Sequence, residues 1–292
     1  MQPPNKIKFI NIDTRFNAER PCFPFADYYI DLPDRIHRVK TLSIVSVELP
    51  ISFFNICESL NNNVISVQDV SSKPAGSPIK IKLEDSNYTL ETISKTITNK
   101  LEAENIGDLK VDASNNKINF KSTTRDYVLD FTNSNENQPT EYSLHKLLGF
   151  KNTRIYIEKT ENEPKVIEHS VDKTICNLFN PRYLYLELVE YEYHKKNEHN
   201  DYLFSSSILT PQISKFIIAR LVIDYNTYPF GSVLPANISN GLLISNTRFY
   251  KKHINLERLE IRVLNEFGFP ICLNGFEVSF CIQVECEQKN DA

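Results

Sequence analysis

Residues 43–56, SIVSVELPISFFNI, limit the architectures open to this chain more than any other stretch. From Leu42 the apolar side chains fall at Leu42 and Ile44, then change phase to Val45, Val47 and Leu49. A strand of period two accommodates that only through a bulge or through burial on both faces. Pro50 then removes an amide donor and ends the ladder, which puts Phe53, Phe54 and Ile56 just beyond a sheet edge. Such a corner is either a lid on a β-sandwich core or part of a subunit contact.

The same change of phase recurs in residues 183–193, where Leu184, Leu186 and Leu188 give way to Val189, Tyr191 and Tyr193. Two long strands of this kind predict sheets that curl from one layer into another, as sandwiches and jelly rolls do at their corners. Around them the strand signals collect at the two ends of the chain. Phe276, Val278, Phe280, Ile282 and Val284 alternate with polar neighbours, Tyr28, Ile30 and Leu32 form a short run before Pro33, and residues 216–225 read as buried on both faces. Leu259, Ile261 and Val263 alternate with Glu260 and Arg262, and residues 265–268 (NEFG) supply a turn. With strands at residues 7–12 and 242–245 the terminal regions hold about eight, the number of a jelly roll.

The middle of the chain follows other periods. Short strands are expected at 64–70, 79–83 and 127–131, and residues 109–113 and 117–121 flank Ser114-Asn115-Asn116 as a hairpin. Leu90, Ile93, Ile97 and Leu101 have helical spacing, with Thr89 placed to cap, Glu91 to complement the dipole, and Asn105-Ile106-Gly107 to terminate. A second, short helix is expected over 143–148. The reading is therefore mainly β: a single eight-stranded jelly roll, an antiparallel β-sandwich, from residues 1–60 and 171–292, with an inserted α+β domain over 61–170.

Composition narrows the function classes. The net charge of −4 and the lack of any Lys/Arg block argue against direct nucleic-acid binding. The longest apolar run, 216–223, is interrupted by Arg220 and falls short of the roughly 18 residues of a membrane span. The first residues lack the pattern of a secretory signal, so a soluble, non-secreted chain is expected, with the sequons at Asn87 and Asn237 unused. The six cysteines, at 22, 57, 176, 272, 281 and 286, have no CxxC or zinc-finger spacing. They read as free thiols, Cys281 and Cys286 being held on opposite faces of one strand.

Catalytic signals are weak throughout. His194 and His199 with Asp201 are the nearest approach to a metal cluster, but Lys195 and Lys196 oppose a cation there, so no metal and no cofactor is expected. His37 and His253 sit among charged residues and read as surface. Glu187, Glu190 and Glu192 share a strand with tyrosines, and read as the wet side of a sheet rather than as an acid and base pair. With seven glycines the chain has little material for phosphate cradles or nucleophile elbows, and no GxSxG, P-loop or GxGxxG occurs. Fourteen tyrosines and eighteen phenylalanines without a tryptophan suit a sandwich core plus polar-aromatic interfaces. The residues expected at a subunit interface are Tyr183, Tyr185, Tyr191, Tyr193, Phe53 and Phe54.

Five segments together carry a resemblance. NIDTR at 11–15, IDLP at 30–33, residues 39–56 with Glu48-Leu49-Pro50, Asn87-Tyr88-Thr89 before a helix, and LLGF at 147–150 resemble small jelly-roll capsid proteins of nucleocytoplasmic large DNA viruses. That group includes the penton proteins of five-fold vertices and related minor capsid proteins. The resemblance implies a single upright jelly roll with a domain inserted in one loop, made in the host cytoplasm and built into the virion capsid. It implies a homopentamer whose partners are copies of itself and the neighbouring major and minor capsid proteins, and it supplies no catalytic residues. The alternatives are a minor capsid protein between capsomers, or a jelly-roll module for attachment to a receptor or carbohydrate.

Overall fold

The structure, a computed structural model, describes residues 5–16, 25–132, 142–159, 174–190 and 216–288. In chain order its strands and helices are β1 (Asn5–Asp13) and β2 (Asp27–Pro50), then β3 (Val64–Asp69), β4 (Ile79–Lys82), α1 (Leu90–Ala103), β5 (Leu109–Ser114), β6 (Lys117–Ser122), β7 (Tyr127–Asp130), α2 (Leu144–Leu147) and β8 (Arg154–Ile157). These are followed by β9 (Tyr183–Glu190), β10 (Ile217–Val222), β11 (Val233–Asn237), β12 (Leu243–Ser245), β13 (Arg248–Leu264) and β14 (Ser279–Glu287).

The chain divides into two compact units, Met1–Phe53 with Pro181–Ala292, and Phe54–Asn180. The sequence reading set the change-overs at residues 61 and 170. The units change over earlier and later than that because the flanking segments are already built into the second unit. Asn55 Nδ2 donates to the carbonyls of Tyr88 (2.8 Å) and Leu178 (3.0 Å), and Ile56 lies fully buried in the second unit's core.

In the first unit eight strands form one antiparallel sheet in the order β1-β14-β2-β13-β9-β10-β12, with β11 paired to the end of β2. The sheet curls around one apolar core that reaches from Ile12 on β1 to Leu243 on β12, the mainly β, jelly-roll class expected from the strand pattern. The change of phase after Ile44 is a bulge. Ser46 lies opposite Cys281 and Ile44 opposite Ile282, so Val45 is the extra residue, and Leu42, Ile44, Val47 and Leu49 all reach the core. The change of phase on β9 has the other solution. Its side chains from Leu184 to Glu190 are buried on both faces, and the bulge sits on its neighbour β10 at Ile218.

Three expectations are corrected. The runs before Pro33 and after Val39 belong to one 24-residue strand, β2, which takes Pro33 and the left-handed Arg38 (φ 58°) into a region of shifted register against β13. Irregular pairing there tolerates the missing amide of the proline. β11 was not expected, and it brings the sheet to eight strands once two expected ones merge. Phe276 lies ahead of β14 and is exposed, so the alternation that begins with it enters the sheet only from Ser279.

In the second unit the sheet β4-β3-β7-β8 and the hairpin β5-β6 share a core with α1. Ile93, Ile97 and Leu101 are buried, and Thr89 caps α1 in a reciprocal box: its hydroxyl accepts from Thr92 N (3.2 Å) while Thr92 Oγ1 accepts from Thr89 N (2.8 Å). Asn105 (φ 59°), not Gly107, takes the left-handed position after the helix. Asn115 and Asn116, both at positive φ, form the two-residue hairpin turn. The cysteines at 57, 176, 272, 281 and 286 form no disulfide, with Cys286 buried and Cys281 on the other face of β14. Burial pushes both of those thiols up from the ordinary range.

Candidate functional site

Strand β9 is flanked by β13 and β10, with Tyr185 opposite Leu264 on one side and Arg220 on the other. Tyr185 is 6% exposed and packs with Ile217, Leu264 and Tyr183. The rings of Tyr183 and Tyr185 meet edge to face at 5.3 Å, and the Arg220 guanidinium lies 3.9 Å above the Tyr183 ring. Burial, and then the neighbouring Tyr183, push the Tyr185 phenol up. Phe53 is buried in the first unit's core, and Phe54, the first residue of the second unit, is half-buried. Of the residues expected at a subunit interface, Tyr185 and Phe53 thus spend their side chains inside the protomer. Tyr183 and Phe54 keep partial exposure, and Tyr191 and Tyr193 lie outside the described residues, as do Glu192, His194, His199 and Asp201.

The glutamates of β9 are not the wet side of a sheet: Glu187 and Glu190 are 1% and 2% exposed. Arg248, fully buried at the start of β13, donates from Nη1 to Glu190 Oε1 (2.8 Å) and to the Leu188 carbonyl (2.9 Å), and from Nη2 to the Phe216 carbonyl (3.0 Å). Tyr250 donates its hydroxyl to the same Glu190 oxygen, and burial followed by that carboxylate holds its phenol far above the usual value. Glu187 Oε2 lies 2.5 Å from Arg262 Nε without the alignment of a hydrogen bond, and Glu260 approaches the same guanidinium at 3.5 Å. Each buried carboxylate is therefore neutralised by an arginine, an arrangement that holds strands together rather than one that moves protons. Among the described residues no group of three His, Cys, Asp or Glu is placed to hold a metal, and no helix is long and apolar enough to cross a membrane. His37 and His253 are exposed, as expected of surface histidines.

Exposed apolar side chains mark two other places on the first unit. At one end of the sheet Asp13, Ser279, Glu48 and Pro235 lie in a row across β1, β14, β2 and β11. Beyond that row project Phe16 (85% exposed) and Phe276 (58%), with Val233 and Phe230 at the β11 side. Thr14 ties this end together, accepting from Val278 N (3.0 Å) and donating to Glu277 Oε2 (2.5 Å). At the opposite end Ile7, Glu285, Thr41 and Phe249 lie in register across β1, β14, β2 and β13, with Ile7 56% and Phe249 72% exposed and Phe9 projecting two pairs further along. Sequence reasoning missed both sets. One signal was present in β1, where Ile7 and Phe9 are out of phase with Ile10 and Ile12, the residues that turn to the core.

No family model matches the chain, and no curated protein matches it. Among solved structures it is similar to the mavirus penton protein, with 9% identity and a TM-score of 0.47 over 97% of this chain and 99% of that one. It is also similar to a chain in the structure of the Sputnik virophage, with 12% identity and a TM-score of 0.37 over 96% of this chain and 98% of that one.

Proposed function

We propose that this chain is a structural capsid subunit of the penton type, five copies of which form a ring at the five-fold vertices of a large icosahedral DNA virus. The observation that carries the reading is the insertion. The chain leaves a single jelly roll after Phe53, builds a second compact unit, and re-enters the same sheet from Pro181. That is the organisation implied by the segments at 11–15, 30–33, 39–56, 87–89 and 147–150.

The end of the roll bearing Phe16, Phe276, Phe230 and Val233 is the surface we assign to contact between copies. It offers large apolar side chains free of lysine neighbours along the row from Asp13 to Pro235, the character of an interface core. A head-to-tail contact between identical copies closes as a ring when the rotation allows, and a vertex requires five. Each permanent contact should bury more than roughly 1,000 Å². In this reading the protein acts by assembly rather than catalysis, is made in the host cytoplasm, and meets major and minor capsid proteins at the ring's outer edge.

Electron cryomicroscopy of intact particles tests the assignment. Density for this fold on the five-fold axes is the expected result. Density only between capsomers would overturn the penton position and place the chain among the minor capsid proteins.

A further inference from the structure

The end of the sheet opposite the apolar one carries charge of a different kind. Glu287, at the end of β14, has a side chain only 16% exposed, and two cationic groups and an imidazole converge on it. Arg38 donates to Oε2, His253 Nδ1 lies 3.3 Å from the same oxygen, and Lys40 Nζ stands 3.9 Å from Oε1. The neighbouring Glu285 is engaged by Asn5 Nδ2 (2.5 Å) and Thr41 Oγ1 (3.4 Å). One carboxylate thus faces two cations, and desolvation followed by the charges of Arg38 and Lys40 pushes the His253 imidazole down.

Further cations lie at the same end of the sheet, on both of its faces. Between Phe249, opposite Thr41, and Ile254, opposite Val39, β13 carries extra residues that bulge out of the ladder, and Lys251 and Lys252 are exposed on that bulge. Lys6 and Lys8 are exposed on the edge strand β1, on the side of the strand that continues to Ile10 and Ile12. These four lysines have no ion-pair partner among the described residues. Charges that point inward from an edge strand oppose the addition of another strand, so β1 is protected against pairing with a second sheet.

We infer that this end of the first unit, with the row from Ile7 to Phe249 and with Lys40, Lys251 and Lys252 beside Phe249, rests on the surface of an anionic lipid bilayer. The chemistry separates this occupant from others. Lysine is depleted in protein–protein interfaces, whereas hydrated ammonium groups around exposed apolar side chains suit a boundary of lipid phosphates and acyl chains. Double-stranded nucleic acid would use the cations but has no place for Ile7 and Phe249. The inference goes beyond the capsid reading and does not depend on the pentamer.

The test is flotation of the full-length protein with vesicles of phosphatidylcholine alone or of phosphatidylcholine mixed with phosphatidylserine. Binding to the anionic vesicles only, reversed by high salt, is expected. Lys251→Gln with Lys252→Gln should weaken partitioning about thirtyfold, since each lysine near an anionic surface contributes roughly a factor of five. Phe249→Ser should weaken it further, while Lys80→Gln with Lys95→Gln, which removes the same charge from the second unit, should leave it unchanged. Equal binding to both vesicle types, no binding to either, retention of a duplex DNA oligomer in place of vesicles, or an equal loss in the Lys80 and Lys95 control would overturn the inference.

Discussion

Glu190 and Arg248 face each other 2.8 Å apart with side chains 3% and 0% exposed, joining the end of β9 to the start of β13 across 58 residues of sequence. Neither charge has water to fall back on. The Arg248 guanidinium also donates to the carbonyls of Leu188 and Phe216, so removing it leaves the Glu190 carboxylate buried with the Tyr250 hydroxyl as its remaining hydrogen-bond donor and no neutralising charge. Arg248→Met should destabilise the first unit by about 3–5 kcal/mol, and adding Glu190→Leu should recover part of that loss rather than add to it. Urea unfolding of the single and double variants measures this. Strictly additive losses would mean that the pair is not coupled.

In the second unit Asp108 accepts from Arg125 Nη2 (2.5 Å), Thr124 Oγ1 (2.6 Å) and the Tyr127 hydroxyl (2.7 Å). Desolvation alone would raise its pKa, but the hydrogen bonds from Arg125, Thr124 and Tyr127 together outweigh it and hold the carboxyl well below the usual range. A depressed carboxylate contributes stability above the unfolded-state pKa of about 3.9, and the contribution is lost as the pH falls below that value. Asp108→Asn should therefore cost about 1–3 kcal/mol at neutral pH and flatten the acid limb of the second unit's unfolding. A pH series of thermal melts on both proteins is the check, and parallel acid limbs would contradict it.

The two compact units predict a clean excision. Replacing residues 54–180 by a short flexible linker should leave the first unit soluble and cooperatively folded, because its core is built from β1, β2 and β9 onward. Cutting at 61 and 170 instead should give a poorer product. It leaves behind Ile56 and Leu178 without most of the core they pack in, and Asn55 without its acceptor on Tyr88. Denaturant unfolding of both truncated proteins distinguishes them, and equal behaviour would mean that the segments flanking the insertion carry little of its core.

How much of this was legible beforehand depended on whether the cause was local. The Val45 bulge was readable as one of two outcomes, because a period-two pattern shifts phase only through a bulge or through burial on both faces. The Thr89 cap and the Asn115-Asn116 turn were readable because their partners are within three residues. The burial of Glu190 was not readable, since a glutamate among tyrosines looks the same whether or not an arginine waits 58 positions away. The continuity of β2 through Pro33 was hidden for a related reason: the proline's missing amide matters only if the partner strand needs it, and there β13 is out of regular register. The interface assignment chose residues by type. Tyr185 and Phe53 are aromatic but buried, Phe53 in the roll's core and Tyr185 against Ile217 and Leu264, whereas Phe16 and Phe276 lie where strands have ended and are 85% and 58% exposed.

The oligomeric mass of the purified full-length protein bears most directly on the penton reading. Light scattering coupled to size exclusion should give five times the chain mass of 33.8 kDa. Phe16→Ser with Phe276→Ser, which removes two exposed anchors outside the core, should weaken assembly by roughly thirtyfold or more and release a folded monomer. A wild-type mass of one, two or three chains across the accessible concentration range, or a pentamer indifferent to both substitutions, would contradict the account.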